Sequence, residues 1–189
     1  QLIEPLVSNR ANFLTDAICR EGLHLAAPAL RKAVMDGKDA AAREAMSDAS
    51  LMGGMALANA RLGAVHGFAA PLGGMTGAAH GTICARLLPV VMKKNIDRLA
   101  EEGALSSVYS RYIEIGRILT GDQQATAEDG VAWVRNLCGE VGIPRLRDLG
   151  LVEERFEELA QKAAVASSMQ GNPVKLSHSE LMEIIQAAY

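Results

Sequence analysis

The sequence has few aromatic residues and few cysteines. Phenylalanine, tyrosine and tryptophan make up 4% of its 189 residues, with a single tryptophan. An all-β sandwich needs more aromatic and β-branched side chains, so the composition favours closely packed helices. The three cysteines, Cys19, Cys84 and Cys138, are odd in number and widely spaced, which indicates neither a disulfide framework nor a zinc ribbon. A reducing cytoplasm is therefore the expected compartment.

The sequence also lacks an excess of basic charge and long apolar runs. Lysine and arginine number 19 against 22 acidic residues, for a net charge of -3, which argues against nucleic acid as a partner. The apolar runs are broken by Gly, Pro, Lys or Asp well short of a membrane-spanning length, and no signal peptide is visible. With 49% hydrophobic residues, the chain can bury a sizeable core. We therefore expect a folded globular protein that does not cross a membrane.

Several nucleotide-binding and catalytic motifs are absent. There is no G-x-x-x-x-G-K-[ST] loop and no G-x-G-x-x-G after a strand, so a nucleotide cofactor would need other sequence to hold it. The missing G-x-S-x-G elbow argues against a serine hydrolase. The chain has no initiator methionine and opens partway through an amphipathic segment. We expect it to be part of a longer protein.

Helical periodicity organises most of the chain into one all-α unit. It predicts helices over residues 12–36, 39–60, 106–119, 127–141, 153–167 and 179–188, with a kink at Pro28 in the first. Capping patterns mark two of the starts, a loose one at Thr126 and a full capping box at Ser177. The second half of the 39–60 helix is rich in Gly, Ala and Met, which predicts deep burial. No linker or repeat divides residues 1–189, so we expect one helical bundle-like domain.

The least ordinary segment holds two histidines. His66 and His80 flank a stretch with Pro71, Gly73 and Gly74, where we expect a tight connection that turns both rings towards one point. Neutral imidazole is the commonest transition-metal ligand, but two histidines make only half of a zinc or ferrous site. Alternatively, both are helix-end histidines bonded to backbone, and the glycines permit close packing.

The other histidines and the nearby thiol have simpler explanations. Cys84 follows His80 by four residues, so on a helix the two share a face, either as a His/Cys pair or with the thiol as core packing. His24 and His178 have no second candidate ligand at a metal-site spacing, and we expect them to be structural or exposed.

Taken together, these motifs resemble a known family. They are His66-Gly-Phe-Ala, Pro71-Leu-Gly-Gly, His80-Gly with a following Leu-Leu-Pro and Asn95, and the tail Ser-Ser-Met-Gln-Gly-Asn172-Pro. Over nearly its whole length the chain resembles the C-terminal domain of iron-containing (group III) alcohol dehydrogenases. The resemblance implies an all-helical domain of the dehydroquinate synthase-like type that packs, in the intact enzyme, against an N-terminal Rossmann-like domain.

The resemblance also implies a function and a ligand set. The family domain carries a divalent metal, Fe²⁺ as first choice or Zn²⁺, which binds the substrate oxygen while hydride passes to or from NAD(H) or NADP(H) on the other domain. Two of the family's metal ligands fall on His66 and His80, and an Asp with a His four residues later would lie just before Gln1. The implied partners are an alcohol or aldehyde substrate, the nucleotide-binding domain and further copies of the chain, since members are commonly oligomers.

Two departures from the family pattern bear on the substrate site. Many members carry a His four residues after the position of His66, where this chain has Ala70, so a proton route through that position is in doubt. Some members place an aromatic residue nine positions before the position of His66, where this chain has Leu57, and we expect a somewhat roomier pocket.

Two other functions remain open on the sequence. One is a metal-free reductase of the maleylacetate type, although the tail from Ser167 to Pro173 favours an alcohol or aldehyde substrate. The other is a non-catalytic helical binding or assembly module that has kept the histidine segment for packing.

Overall fold

The computed structural model describes residues 1–101 and 106–189, and within these ranges it contains helices and no β-strand. The α-helices are α1 (Ile3–Val7), α2 (Phe13–Met35), α3 (Ala40–Ala60), α4 (Ala64–Thr76), α5 (His80–Glu101), α6 (Ser107–Thr120), α7 (Ala127–Glu140), α8 (Phe156–Ala164) and α9 (His178–Ala188). Short 3-10 helices lie at Arg147–Leu149, Glu153–Arg155 and Ser167–Gly171. The prediction of an all-α fold is confirmed. No helix of the described ranges is long and apolar enough to cross a membrane.

The helix boundaries follow local capping chemistry. The side chain of Asn12 accepts hydrogen bonds from the first turn of α2, which ends before Asp36, as predicted. Pro28 lies inside this helix, and the kink expected there stays a prediction. Thr126 forms a reciprocal capping box with Asp129 at the start of α7, and Ser177 forms another at α9. The predicted starts of these three helices are therefore confirmed.

The connection between the two histidines is not where the sequence predicts it. Pro71, Gly73 and Gly74 lie inside α4, and the chain turns only at residues 77–79, where Gly77 adopts a left-handed conformation with φ +74°. The glycine and proline signals were outweighed by packing, because Phe68 and Leu72 on the same helix are completely buried.

The expected deep burial of the second half of α3 is also wrong. Gly53, Ala56 and Ala60 are buried, but Leu51 and Met55 are 66% and 46% exposed. The reason is that α3 packs mainly against α2, so that one face is covered and the opposite apolar face is open in the described chain.

The core consists of two apolar clusters that meet along α5. Met92 and Ile96 of α5 belong to the first cluster, together with residues of α1, α2, α6 and α7. Ile83 and Leu87 belong to the second cluster, with residues of α4, α8 and α9. The helix that begins at His80 is thus held on both sides by buried side chains.

A buried polar network ties the segment after the last 3-10 helix to the start of α4. Asn172 Oδ1 accepts hydrogen bonds from the Ala64 amide and from Asn95 Nδ2, both at 3.1 Å. The Asn172 amide group donates in return to Asn95 Oδ1 and to the Val174 carbonyl, and Asn95 also donates to the Tyr112 hydroxyl. Because every contact lies inside the protein, this network fixes the first turn of α4, which carries His66.

Candidate metal centre

Three potential metal donors converge where α4 and α5 begin. His66 lies in the first turn of α4, His80 is the first residue of α5, and Cys84 follows one turn later. Their ligand atoms all lie within 4.8 Å of one another. The imidazole centroids of His66 and His80 are 5.2 Å apart, and His80 Nε2 lies 3.5 Å from Cys84 Sγ. The expectation that the chain brings the two histidines together agrees with this geometry.

A buried carboxylate holds the first of these rings. Glu4 on α1 is 6% exposed and His66 is 8% exposed. One carboxylate oxygen of Glu4 lies 2.5 Å from His66 Nδ1, and the other accepts the Val65 amide at 2.7 Å. With Nδ1–H donated to the carboxylate, Nε2 is left as the nitrogen that can bind a metal.

Glu4 is a residue of the candidate site that the sequence analysis missed. It stands in the apolar segment Leu-Ile-Glu-Pro-Leu-Val, and a single charge within such a segment is almost never buried without a partner. That isolated charge was the available signal, but its partner is 62 positions away in the chain.

The donors open onto a cavity of about 610 Å³. His66, His80 and Cys84 form part of its wall, and the rest is mostly apolar, with contributions from Leu88 and Trp133. Gln1 also lines this cavity, so the segment that begins the chain lies close to the donor cluster. The arrangement presents polar donors at one side of a largely apolar space, which is typical of small-molecule sites.

The thiol at the site is less acidic than an ordinary cysteine. Burial, with a smaller contribution from the Glu4 carboxylate, raises the pKa of Cys84 to about 11. Without a metal, Cys84 is therefore a neutral thiol at pH 7. Cys84 is half-buried and packs against the second core cluster, while its sulfur faces His80. The structure therefore contains both the core packing and the His/Cys contact that the sequence left open as alternatives.

The remaining site residues of the sequence analysis lie elsewhere. Ala70 is exposed on α4, one turn beyond His66, and Leu57 is 36% exposed on α3. Neither belongs to the wall of the cavity as the described residues form it. Their roles near a substrate stay predictions. His24 is exposed, and His178 is exposed and bonded to Glu157, in line with expectation.

The donor chemistry fits a divalent transition metal. Two imidazoles, one of them oriented by a carboxylate through its second nitrogen, reproduce the arrangement that supports metal-binding histidines in proteins. Such nitrogen donors suit iron and zinc. Because these residues supply fewer than four ligands, coordination positions on the ion remain for further ligands or a substrate.

Comparison with known proteins gives a consistent result. Residues 2–189 match the model of the Fe-containing alcohol dehydrogenase family, C-terminal. The 1,3-propanediol dehydrogenase of Klebsiella pneumoniae is 36% identical over 190 residues, which cover 99% of this chain and 48% of that protein. Lactaldehyde reductase of Escherichia coli (strain K12) is 33% identical over 193 residues, again 99% of this chain and 48% of the relative.

The solved structures agree with the sequence relatives. The crystal structure of 1,3-propanediol oxidoreductase matches 100% of this chain with a TM-score of 0.90 at 34% identity, and the match covers 48% of that protein. The chain thus spans about half the length of the curated relatives it matches.

Proposed function

The chain belongs to the Fe-containing alcohol dehydrogenase family, and from that premise we propose that it is the metal-carrying part of an enzyme that transfers hydride between NAD(P)H and an alcohol or aldehyde. Residues 1–189 would form one helical domain, and the nucleotide would bind to a second domain that precedes it in the enzyme. The observation that carries the proposal is the convergence of His66 and His80, with Glu4 behind the first ring.

The proposed roles of the residues follow from their contacts. His66 Nε2 and a ring nitrogen of His80 would hold the divalent ion, Fe²⁺ or Zn²⁺. When bound, the ion supplies a Lewis acid that polarises the substrate oxygen. Glu4 keeps the His66 proton on Nδ1 and so keeps the opposite nitrogen free. The buried network around Asn172 holds the turn of α4 that carries His66.

The cavity beside the donors would receive the substrate. Its apolar wall accepts a short hydrocarbon chain and limits the access of water to the reacting carbon. The names of the relatives above point to small alcohols and aldehydes, and we extend that class to this chain. In the intact enzyme, Leu57 would leave more room than an aromatic side chain, and Ala70 supplies no group for proton transfer.

Exposed apolar side chains on α2 and α3 would be covered in the intact enzyme. Val34, Met35, Leu51 and Met55 are each at least 46% exposed. We assign this surface to contact with the nucleotide-binding domain or with a second copy of the chain in a homo-oligomer. The three free cysteines fit a reducing cytoplasm.

The test is metal content and turnover in the chain extended by its upstream coding sequence. The protein is incubated with ferrous iron or zinc and desalted, its metal is measured by plasma mass spectrometry, and NAD(P)H oxidation is followed with a short aldehyde. We expect about one metal per chain and turnover that chelator abolishes. The double variant His66→Ala/His80→Ala should lose both.

A matched control removes histidines outside the cluster. The double variant His24→Ala/His178→Ala changes two exposed rings and should keep the metal and the activity. Equal metal content in the two double variants would contradict the proposal. Turnover that persists in chelator with a maleylacetate-like substrate would indicate the metal-free reductase instead.

A further inference from the structure

The donor cluster contains one residue that the proposed function does not use. Cys84 Sγ lies within 4.8 Å of the ligand atoms of both His66 and His80. The thiol packs against the second core cluster, and its sulfur is also within hydrogen-bonding distance of His80 Nε2. Three donors of metal-binding type therefore face one point, and the third of them is a sulfur.

The distance between the sulfur and its neighbour suits a shared ion. His80 Nε2 and Cys84 Sγ are 3.5 Å apart. A tetrahedral zinc ion has Zn–N distances of about 2.0–2.1 Å and Zn–S distances of about 2.3 Å, which separate two such donors by about 3.6 Å. The two side chains can thus bind one ion without a change in their separation.

The backbone holds these donors in place. His80 and Cys84 are four residues apart on α5, so they lie one above the other on the same face. The side chains of Ile83 and Leu87, on other faces of the same turns, are completely buried. The third donor, His66, is fixed through Glu4. The cluster is therefore built from anchored elements rather than from a mobile loop.

We propose that Cys84 Sγ is a ligand of the metal site beside His66 and His80, the third that residues 1–189 supply, and that the site takes a thiophilic divalent ion such as zinc or cobalt. This inference rests on the proposed metal site. As the sulfur–metal bond forms, the Sγ proton passes to solvent, and no electrons are transferred. A thiolate makes the site softer than one built from nitrogen and oxygen alone, which favours zinc and its analogues.

The experiment uses Co²⁺ as an optical probe of the reduced 189-residue chain under anaerobic conditions. A cobalt–thiolate bond produces a sulfur-to-metal charge-transfer band in the near ultraviolet, whereas nitrogen and oxygen ligands do not. We expect this band to appear on titration of the chain and to be absent in Cys84→Ser. That variant should also bind Co²⁺ at least about tenfold more weakly. Loss of a residue that only supports a ligand already lowers metal affinity by about 10- to 100-fold, and loss of a ligand should cost no less.

Cys138 provides a matched control. It is also half-buried and lines the same cavity, but its sulfur donates to the Ala85 carbonyl and it does not belong to the donor cluster. Cys138→Ser should keep the band and the affinity. A band that survives in Cys84→Ser, or one that disappears in Cys138→Ser instead, would overturn the assignment of the sulfur ligand.

A second measurement needs no variant and so does not depend on correct folding of a mutant. Zinc should slow the alkylation of Cys84 by iodoacetamide in the wild-type chain, measured residue by residue by mass spectrometry, while Cys138 reacts at the same rate with or without zinc. Unchanged Cys84 alkylation would overturn the proposal, as would the absence of Co²⁺ binding. Cobalt binding without the charge-transfer band would overturn it while leaving the histidine site and the proposed function intact.

Discussion

The Glu4 carboxylate binds two consecutive residues of α4, the amide of Val65 at 2.7 Å and the ring of His66 at 2.5 Å. One side chain of the short helix α1 thus caps a buried helix start and orients the imidazole that we propose as a metal ligand. A change at Glu4 should therefore act on the stability of the fold and on metal affinity through separable contacts.

Glu4→Gln should damage metal binding more than folding. The amide has one oxygen, which can still accept the Val65 amide, but its NH₂ group then faces His66 Nδ1 and favours the ring tautomer that carries its proton on Nε2. We expect zinc affinity to fall by about 10- to 100-fold, measured by competition with a chromophoric chelator. Glu140→Gln, which changes an exposed ion pair with Arg31, is the control and should bind zinc like the wild type. Unaltered affinity in Glu4→Gln would show that the carboxylate does not support the ring.

Asn172→Ala should destabilise the fold from within the buried network. It removes the acceptor of the Ala64 amide and both hydrogen bonds between Asn172 and the Asn95 side chain, which keeps only its bond to the Tyr112 hydroxyl. Because unsatisfied buried polar groups cost about 1–3 kcal/mol each, we expect the free energy of unfolding to fall by about 3 kcal/mol in urea titrations. Asn59→Ala removes one exposed bond to the Met55 carbonyl and should change it by less than about 0.5 kcal/mol. Similar values for the two variants would mean that the network contributes little.

Substitution of two glycines by alanine should have opposite effects on the stability of the fold. A Cβ on Gly116 of α6 would collide with the Thr126 carbonyl at the close approach of α6 and α7. A Cβ on Gly54, inside α3, meets nothing within 4 Å. Gly116→Ala should lower the melting temperature by forcing the helices apart, whereas Gly54→Ala should raise stability by about 0.5–1 kcal/mol through helix propensity. Thermal unfolding monitored by circular dichroism distinguishes the two, and stabilisation by Gly116→Ala would contradict the close approach.

In the metal-free chain, the pH at which Cys84 becomes reactive towards alkylation should be higher than for an ordinary cysteine. Burial raises its pKa from 9.0 to about 11, so the thiol keeps its proton through neutral pH and the reactive thiolate forms only as the pH rises towards 11. At pH 8 the thiolate fraction is roughly a thousandth, and the iodoacetamide rate should keep increasing well above pH 9. In denaturant the burial is lost, and the alkylation rate should level off once the pH passes the ordinary cysteine pKa of 9.0. A folded-state profile that levels off near pH 9 would exclude the shift.

Local chemistry explains which parts of the fold could be predicted. The ends of α2 depend on Asn12 and Asp36, and the start of α9 depends on Ser177 and Glu180, all within a few positions of the groups they bind. The periodicity of apolar residues is likewise a property of neighbouring positions. Such contacts are encoded next to one another, so the sequence is enough to find them.

The errors arose where distant packing competes with local preference. Pro71 and Gly73 favour a turn, yet they continue α4 because buried neighbours on that helix hold it in place. Leu51 is apolar yet exposed, because its exposure depends on which elements cover α3 and not on its own hydrophobicity.

The sequence by itself determined the helical fold class, the boundaries of α2, α3, α6, α7 and α9 to within one residue, and the two histidines worth examining, because these depend on periodicity, capping and residue type. Only the tertiary structure decided that Glu4 lies behind His66 and that the sulfur of Cys84 faces the same point as both rings. The physical reason is distance along the chain. Glu4 and His66 meet because α1 and α4 are held in one packed core, and no local rule relates two residues 62 positions apart.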